Sequence, residues 1–288
     1  MQSSAVLIFV AVLSLLATPA FAQSRDCSGS DTDKAIAACS ADIRRDSAIP
    51  ANAGMLPMLY NLRAAAYEKK DMLDQARADL DTVVSLQPDL ISYFNRAVFC
   101  SDHGPVRCAL ADFETAVTAY EKRVPKVTAW EEPYAQANFR RAEILRLNDR
   151  TAEAMPNYDK AVAMRPDNPE FRFNRALANS RLERIDAVID DLTQVIGPNP
   201  RRGPFVVSAL NNRGVAHMRK GEYAEAIADL DKALALDPGS PMTLVRRGLV
   251  YEKAGQRDKA VADYRESLKI YAKLEDALEG LKRLGLAP

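Results

Sequence analysis

Four cysteines are the residues of this chain whose type and spacing could do covalent chemistry. They allow three pairings, and short separations favour Cys27 with Cys39 and Cys100 with Cys108. The second pair flanks Gly104 symmetrically, so a turn between two antiparallel helices there would bring the sulfur atoms together. A metal site and a redox dithiol are the alternatives, and neither has its usual spacing because the chain contains no CxxC motif. The sequence therefore predicts two structural disulfides.

Enzyme chemistry finds little support elsewhere in the sequence. His103 and His217 are the only histidines, and neither has an evident nucleophile or metal ligand nearby in sequence. There is also no glycine-rich phosphate-binding loop. We therefore predict a protein that is not an enzyme and that uses no cofactor and no metal. A cluster of titratable side chains in a closed pocket would argue the opposite.

An arginine and an acidic residue recur together, sixteen positions apart. The arginines are Arg63, Arg96, Arg141, Arg175, Arg213 and Arg247, and their partners are Asp79, Asp112, Asn157, Asp191, Asp229 and Asp263. Because the acid recurs in step with the base, the pattern favours structural ion pairs over a row of arginines that binds an anionic partner. Asn157 is the exception, which predicts that Arg141 is less constrained than the others.

These residues belong to elements that repeat along the chain. A small residue follows each arginine: Ala64, Ala97, Ala142, Ala176, Gly214 and Gly248. A large residue stands sixteen positions after each of these: Leu80, Phe113, Tyr158, Leu192, Leu230 and Tyr264. The clearest copy, 208–240, predicts two amphipathic helices with a glycine turn at Gly221 and a stop at Pro238. The small residues are separated by 33, 45, 34, 38 and 34 positions.

A period near 34 with this signature resembles the tetratricopeptide repeat (TPR) family. The resemblance implies an all-α fold, a right-handed TPR α-solenoid of antiparallel helix pairs. It would contain six full repeats, an N-terminal half repeat and a C-terminal capping helix. The predicted organisation is a signal peptide at 1–22, an N-terminal segment with the half repeat at 23–56, repeats 1–2 at 57–123, an insertion at 124–134, repeats 3–6 at 135–274 and the capping helix at 275–288.

The N-terminus predicts export. Residues 1–22 resemble a secretory signal peptide, with an apolar run at 5–17 that is too short to span a bilayer. No Lys or Arg precedes this run, and a membrane anchor or a buried N-terminal helix is the alternative. We expect a periplasmic or secreted protein, in a compartment that favours disulfides, with no membrane span after cleavage.

The resemblance also predicts where a partner binds. In TPR proteins the first helices of successive repeats line a concave groove that receives a peptide or a helix. The matching groove residues are Phe94, Val98, Phe139, Phe173, Leu177, Val215, Val245 and Leu249. The three phenylalanines make its centre apolar, which suggests a hydrophobic peptide or an amphipathic helix. The lysines of the TPR clamp for a C-terminal carboxylate are missing from the matching positions, and inter-repeat core is the alternative role of the phenylalanines.

The function predicted is an exported, non-catalytic scaffold that binds a protein or peptide, with the cell envelope as the expected location. The alternative is a structural or self-assembling solenoid without a dedicated groove ligand. Basic and acidic residues balance at 39 each, so the chain has no basic footprint for nucleic acid. The sequence predicts no particular oligomeric state.

Overall fold

The protein is all-α in the computed structural model, which describes Cys27, residues 29–198 and residues 205–287. Fourteen α-helices and no strand occur within these ranges, and none of the helices is long and apolar enough to cross a membrane. They are α1 (Thr32–Ser47), α2 (Leu56–Lys69), α3 (Leu73–Leu86), α4 (Leu90–His103), α5 (Val106–Lys122), α6 (Glu131–Leu147), α7 (Thr151–Met164), α8 (Pro169–Arg181), α9 (Ile185–Ile196), α10 (Val206–Lys220), α11 (Tyr223–Leu236), α12 (Pro241–Lys253), α13 (Arg257–Ile270) and α14 (Glu275–Arg283). The predicted signal peptide lies outside the described residues.

Consecutive helices pack as hairpins that are joined by short turns. α2 packs against α3, α4 against α5, α8 against α9, α10 against α11 and α12 against α13. Gly221 ends α10 in the left-handed region, with a φ of 81°, and its N–H donates to the carbonyl of Met218. Glycine adopts this conformation without the steric cost of a Cβ atom, so the predicted turn glycine has its expected role.

Small and large residues meet inside these hairpins as their sixteen-residue spacing predicts. A Cβ atom added to Gly214 would lie 3.0 Å from Cγ of Leu230, and one added to Gly248 would lie 2.8 Å from Cε1 of Tyr264. The paired backbones are therefore close enough that little room remains for a larger side chain. All six large residues of this column are buried: Leu80, Phe113, Tyr158, Leu192, Leu230 and Tyr264.

Helix α1 has the contacts of a second helix that lacks a first. Arg63 donates from Nη1 to Oγ of Ser40 at 3.0 Å, just as the arginine of the next repeat donates to Asp81. In this register Cys39 takes the position of the large residue, and it is fully buried. Cys27 is buried against it in a cluster that also contains Ile43 and Leu59.

Helix α14 covers the apolar end of the last repeat. Leu281 is fully buried in a cluster with Tyr264, as the predicted capping role requires. Gly280 faces the same ring so closely that an added Cβ atom would lie 2.5 Å from its Cζ. Arg283 donates from Nε and Nη2 to the carboxylate of Glu252, each at 3.0 Å, which ties α14 to α12.

The chain forms two compact units, α1–α6 and α7–α14, which divide between Asn148 and Asp149. We call them the N-terminal and the C-terminal unit. The boundary does not fall at the predicted insertion, 124–134, because α6 packs against α5. There the rings of Tyr120 and Tyr134 stack with their centroids 4.3 Å apart. The N-terminal unit therefore contains α6 in addition to α1 and the helices of repeats 1–2.

Candidate functional site

The first helices of the C-terminal unit carry apolar side chains at the positions predicted to line a groove. Phe173 and Leu177 are four residues apart on α8, as are Val245 and Leu249 on α12, so each pair lies on one side of its helix. Val215 has the matching position on α10. Val245 is 6% exposed, whereas the other four are half-buried. We call Phe173, Leu177, Val215 and Leu249 the apolar strip.

Part of the apolar strip lines a small cavity between consecutive repeats. Leu177 and Val215 border this space, which measures about 50 Å³. Ser180, Asn212 and Arg219 add polar groups, and the remaining walls are mainly aliphatic side chains of α8 and α9. A concave apolar surface with a few polar groups is typical of a site that accepts a ligand side chain.

A buried hydrogen-bond acceptor lies beside the apolar strip. Asn211 precedes Val215 by one turn of α10 and is 5% exposed. Its Nδ2 donates to the carbonyl of Val207 at 3.0 Å, whereas its Oδ1 has no hydrogen-bond partner among the described residues. An unsatisfied buried acceptor costs about 1–3 kcal/mol.

The N-terminal unit presents less of the predicted groove. Phe94, Val98 and Phe139 are only 3%, 7% and 6% exposed. The ring of Phe94 meets that of Phe113 edge to face, with centroids 5.8 Å apart. These three residues fit the alternative that the sequence left open, in which the phenylalanines belong to inter-repeat core. Sequence spacing could not separate the two roles, because periodicity gives the direction of a side chain but not its depth.

The predicted arginine column is a series of structural ion pairs. Arg213 donates from Nε and Nη2 to the two carboxylate oxygens of Asp229, each at 2.7 Å. The equivalent bidentate pairs are Arg63–Asp79, Arg96–Asp112, Arg175–Asp191 and Arg247–Asp263. The five aspartates are buried. The hydrogen bonds from Arg96 to Asp112 raise the pKa of this arginine further, so it stays charged. The structural interpretation is confirmed for these pairs.

The same arginines also join neighbouring repeats. Nη1 of Arg175 lies 2.9 Å from Asp159, which belongs to the second helix of the preceding repeat. Arg96, Arg213 and Arg247 make the corresponding contacts to Asp81, Thr193 and Asp231. Arg141 reaches Glu114 in the same way, at 3.0 Å, so it too has a carboxylate partner. The acceptors stand two positions after the column of aspartates, a regularity that the sequence contains and that our sequence analysis missed.

Both predicted cysteine pairs are brought together. The Cα atoms of Cys27 and Cys39 are 4.9 Å apart, and those of Cys100 and Cys108 are 5.8 Å apart. Both distances are within the range that a disulfide spans. Cys27, Cys39 and Cys100 are buried, whereas Cys108 is half-buried near the start of α5.

One group of metal-ligand type occurs in the described part of the chain: Cys100, Cys108 and Asp112, whose ligand atoms lie within 4.8 Å of one another. Nη1 of Arg77 is 2.9 Å and 3.1 Å from the two sulfur atoms, and Arg96 binds the carboxylate of Asp112. Two guanidinium groups would repel a cation at this place. The cluster therefore does not favour a metal ion.

Each histidine contacts a carboxylate. Nε2 of His103 on α4 lies 2.7 Å from Oε1 of Glu68 on α2, and Nδ1 of His217 lies 2.6 Å from Oε2 of Glu222. The second contact lowers the pKa of Glu222, an effect to which Lys220 adds. These contacts connect neighbouring helices or a helix and its following turn, and neither includes a nucleophile.

Comparison with protein families agrees with this geometry. Three tetratricopeptide-repeat family models match the chain, one at residues 207–240, one at 101–169, and one at both 59–90 and 243–274. The chain therefore belongs to the TPR family. The predicted fold class, an α-solenoid of antiparallel helix pairs, is confirmed.

Individual relatives match parts of the chain. Hsp70-Hsp90 organizing protein 3 of Arabidopsis thaliana is 24% identical over 77% of this chain and 38% of its own length. Human tetratricopeptide repeat protein 13 is 28% identical over 46% of this chain and 15% of its own length. Mitochondrial import receptor subunit TOM34 of Pongo abelii is 30% identical over 38% of this chain and 36% of its own length. The chain thus spans well under half of each of these relatives.

Solved structures show the same fold. YrrB, described as a TPR protein with an unusual peptide-binding site, superposes with a TM-score of 0.60 at 19% identity, covering 70% of this chain and 97% of YrrB. The C-terminal part of a TPR repeat-containing protein from Cytophaga hutchinsonii has a TM-score of 0.61 at 16% identity, covering 76% and 84% of the two chains. At these identities the likeness concerns the fold alone.

Proposed function

We propose that this protein is an exported, non-catalytic TPR scaffold that binds a protein or peptide in the groove formed by its first helices. The apolar strip of the C-terminal unit is the main contact in this proposal. The observation that carries it is the row of half-buried apolar side chains on α8, α10 and α12, two of which border a cavity between consecutive repeats. Such an apolar surface matches the side chains that a hydrophobic peptide or an amphipathic helix presents.

The proposed ligand is a hydrophobic peptide segment of a protein. One apolar side chain of the ligand enters the cavity bordered by Leu177 and Val215, and its neighbours cover Phe173 and Leu249. The peptide-binding site for which YrrB is described, and the chaperone-organizing name of one relative, support a protein-binding role.

Export is the second part of the proposal, and it rests on the signal-like residues 1–22 together with the cysteines. In each of the two pairs the cysteines are close enough to form a disulfide, and disulfides persist in compartments where thiols are oxidised. We propose that both pairs form disulfides in the periplasm or outside the cell. Sequencing of the N-terminus of the protein from the envelope fraction tests this, with cleavage before Gln23 expected and an intact Met1 contradicting it.

A structural or self-assembling solenoid is the competing function. The burial of Phe94, Val98 and Phe139 favours it for the N-terminal unit, since residues with so little exposed surface add little to a binding site. In this alternative the apolar strip is covered by another copy of the chain. Sedimentation over a range of concentrations separates the two functions, because self-assembly gives a mass that rises with concentration.

The groove is tested by two matched double variants. Leu177→Glu with Val215→Glu places two charges on the apolar strip, whereas Ala228→Glu with Ala235→Glu places two charges on the exposed side of α11. Proteins crosslinked to each variant in the envelope fraction are purified and quantified by mass spectrometry. We expect the groove variant to recover at least about tenfold less partner, a change of about 1.4 kcal/mol in binding free energy. The control variant should recover as much partner as the parent protein. Unchanged recovery by a helical groove variant contradicts the proposal.

A further inference from the structure

The two cysteine pairs differ in access and in charge. Cys27 and Cys39 are both buried, and no guanidinium or ammonium group lies within hydrogen-bond range of their sulfur atoms among the described residues. Cys108 is half-buried, and Cys100 behind it is fully buried. We propose that the Cys100–Cys108 pair is a thiol–disulfide exchange site, in which Cys108 bonds to the sulfur of an incoming thiol and Cys100 is the leaving and resolving sulfur.

The guanidinium of Arg77 is the first reason for this assignment. Its Nη1 lies 2.9 Å from Sγ of Cys100 and 3.1 Å from Sγ of Cys108. A positive charge at this distance stabilises a thiolate, which is both the attacking and the leaving form of a cysteine in exchange. One cation thus serves both sulfur atoms of the pair.

The position of Cys108 is the second reason. It is the third residue of α5, a helix of 17 residues, and the N-terminal turn of a helix favours negative charge. Its partial exposure lets a small thiol approach it, whereas the burial of Cys100 does not. The asymmetry between an accessible and a hidden sulfur determines which of them forms the mixed disulfide.

The remaining charges around the pair leave this effect in place. Asp112 on α5 is the acidic group nearest to Cys108, with Oδ2 4.0 Å from Sγ, and its charge is compensated by two hydrogen bonds from Arg96 on α4. Asp81 on α3 accepts from Nε of Arg77 and from Nη1 of Arg96. Both of these carboxylates are therefore bound by guanidinium groups, and Nη1 of Arg77 remains directed at the sulfur atoms.

The proposed step exchanges one disulfide for another. A thiolate attacks Sγ of Cys108, the Cys100–Cys108 bond breaks, and its electron pair leaves on Cys100 as a thiolate beside Arg77. A second thiol, after losing its proton to solvent, attacks the sulfur of the adduct and releases Cys108. The protein pair gains two electrons, and the two thiols become one disulfide. In reverse, the Cys108 thiolate reduces a disulfide of another molecule.

The inference rests on the disulfide pairing proposed above and not on the groove. The test uses the full-length protein treated with reduced glutathione at neutral pH, then alkylated, digested and analysed by mass spectrometry over time. Intact mass before treatment establishes that both disulfides are present, and free thiols at this stage would overturn the pairing and the exchange together. The groove assays need no redox step, so they stand or fall separately.

The Cys27–Cys39 pair is the internal control. We expect the Cys100–Cys108 pair to open about tenfold faster or more, with the glutathione adduct on Cys108, because Arg77 stabilises the thiolate that leaves on Cys100 and a better leaving thiolate speeds exchange. Arg77→Gln should remove most of this difference, and Arg77→Lys, which keeps a cation, should restore part of it. Equal opening of the two pairs in the parent protein, or an adduct on Cys100, would overturn the proposal even if neither variant folds.

Discussion

Arg247 reaches across a repeat boundary to Asp231, with Nη1 2.6 Å from the carboxylate Oδ1. Its Nε and Nη2 hold Asp263 of its own repeat, each at 2.8 Å. A single guanidinium therefore connects α11, α12 and α13. Repeat proteins derive much of their stability from such interfaces between neighbours, because one repeat cannot bury its apolar face alone.

Removal of this guanidinium should destabilise the protein through the acid that it leaves behind. Arg247→Ala is expected to lower the free energy of unfolding by about 1–3 kcal/mol, because Asp263 is 6% exposed and loses its charged donors. Asp231→Ala is the matched control and should cost less than about 1 kcal/mol, since that carboxylate is 51% exposed. Urea unfolding measures both. Similar effects of the two variants would show that burial of the acid is not the cause.

The capping helix should be sensitive to a single methyl group. Gly280→Ala places a Cβ atom 2.5 Å from Cζ of Tyr264, and this overlap should cost about 1–3 kcal/mol, more than the helix propensity gained. Gly239→Ala, where an added Cβ meets nothing within 4 Å, is the control. Thermal melts should show a lower melting temperature for the first variant alone. A melting temperature at or above that of the parent protein would mean that α14 does not seat on the last repeat as described.

Truncation of the predicted groove phenylalanines should cost more stability in the N-terminal unit than in the C-terminal unit. Phe94→Ala is expected to cost about 3–5 kcal/mol, because its ring is 3% exposed and packs against Phe113. Phe173→Ala should cost clearly less, since this ring is half-buried in the apolar strip. Chemical denaturation of the two single variants gives the comparison. Equal losses of stability would assign Phe173 to the core and weaken its proposed role in binding.

The contact that fastens α14 should depend on pH. The hydrogen bonds from Arg283, and secondarily the one from Tyr264, lower the pKa of Glu252 below its ordinary value of 4.5. A group whose pKa is lower in the folded state adds stability above its unfolded pKa and loses it as the pH falls through the folded pKa. Glu252→Gln should therefore be less stable than the parent protein at neutral pH, and the difference should close below pH 4.5. A difference that persists in acid would assign it to packing.

Much of the repeat architecture could be predicted from the sequence. The two helices of each repeat pack in the same way, so each copy needs residues of the same size at the same spacing. The small residue at Gly248, the large one at Tyr264 and the ion pair beside them all keep their spacing. Depth could not be predicted, since Phe94 and Phe173 share a position but differ in their neighbours. The contact between Arg77 and the cysteines could not be predicted from the sequence either, because it depends on how two repeats stack and not on a spacing within one repeat.

The central claim, that a partner binds at the apolar strip, is tested most directly by site-specific photocrosslinking. A photoreactive amino acid replaces Val215 in one protein and exposed Ala228 on α11 in another, and both are irradiated in the native envelope fraction. We predict a discrete crosslinked protein at position 215 that is absent at position 228 and that is lost when Leu177→Glu is added. Crosslinks of equal pattern at both positions, or only to another copy of this chain, would contradict the account.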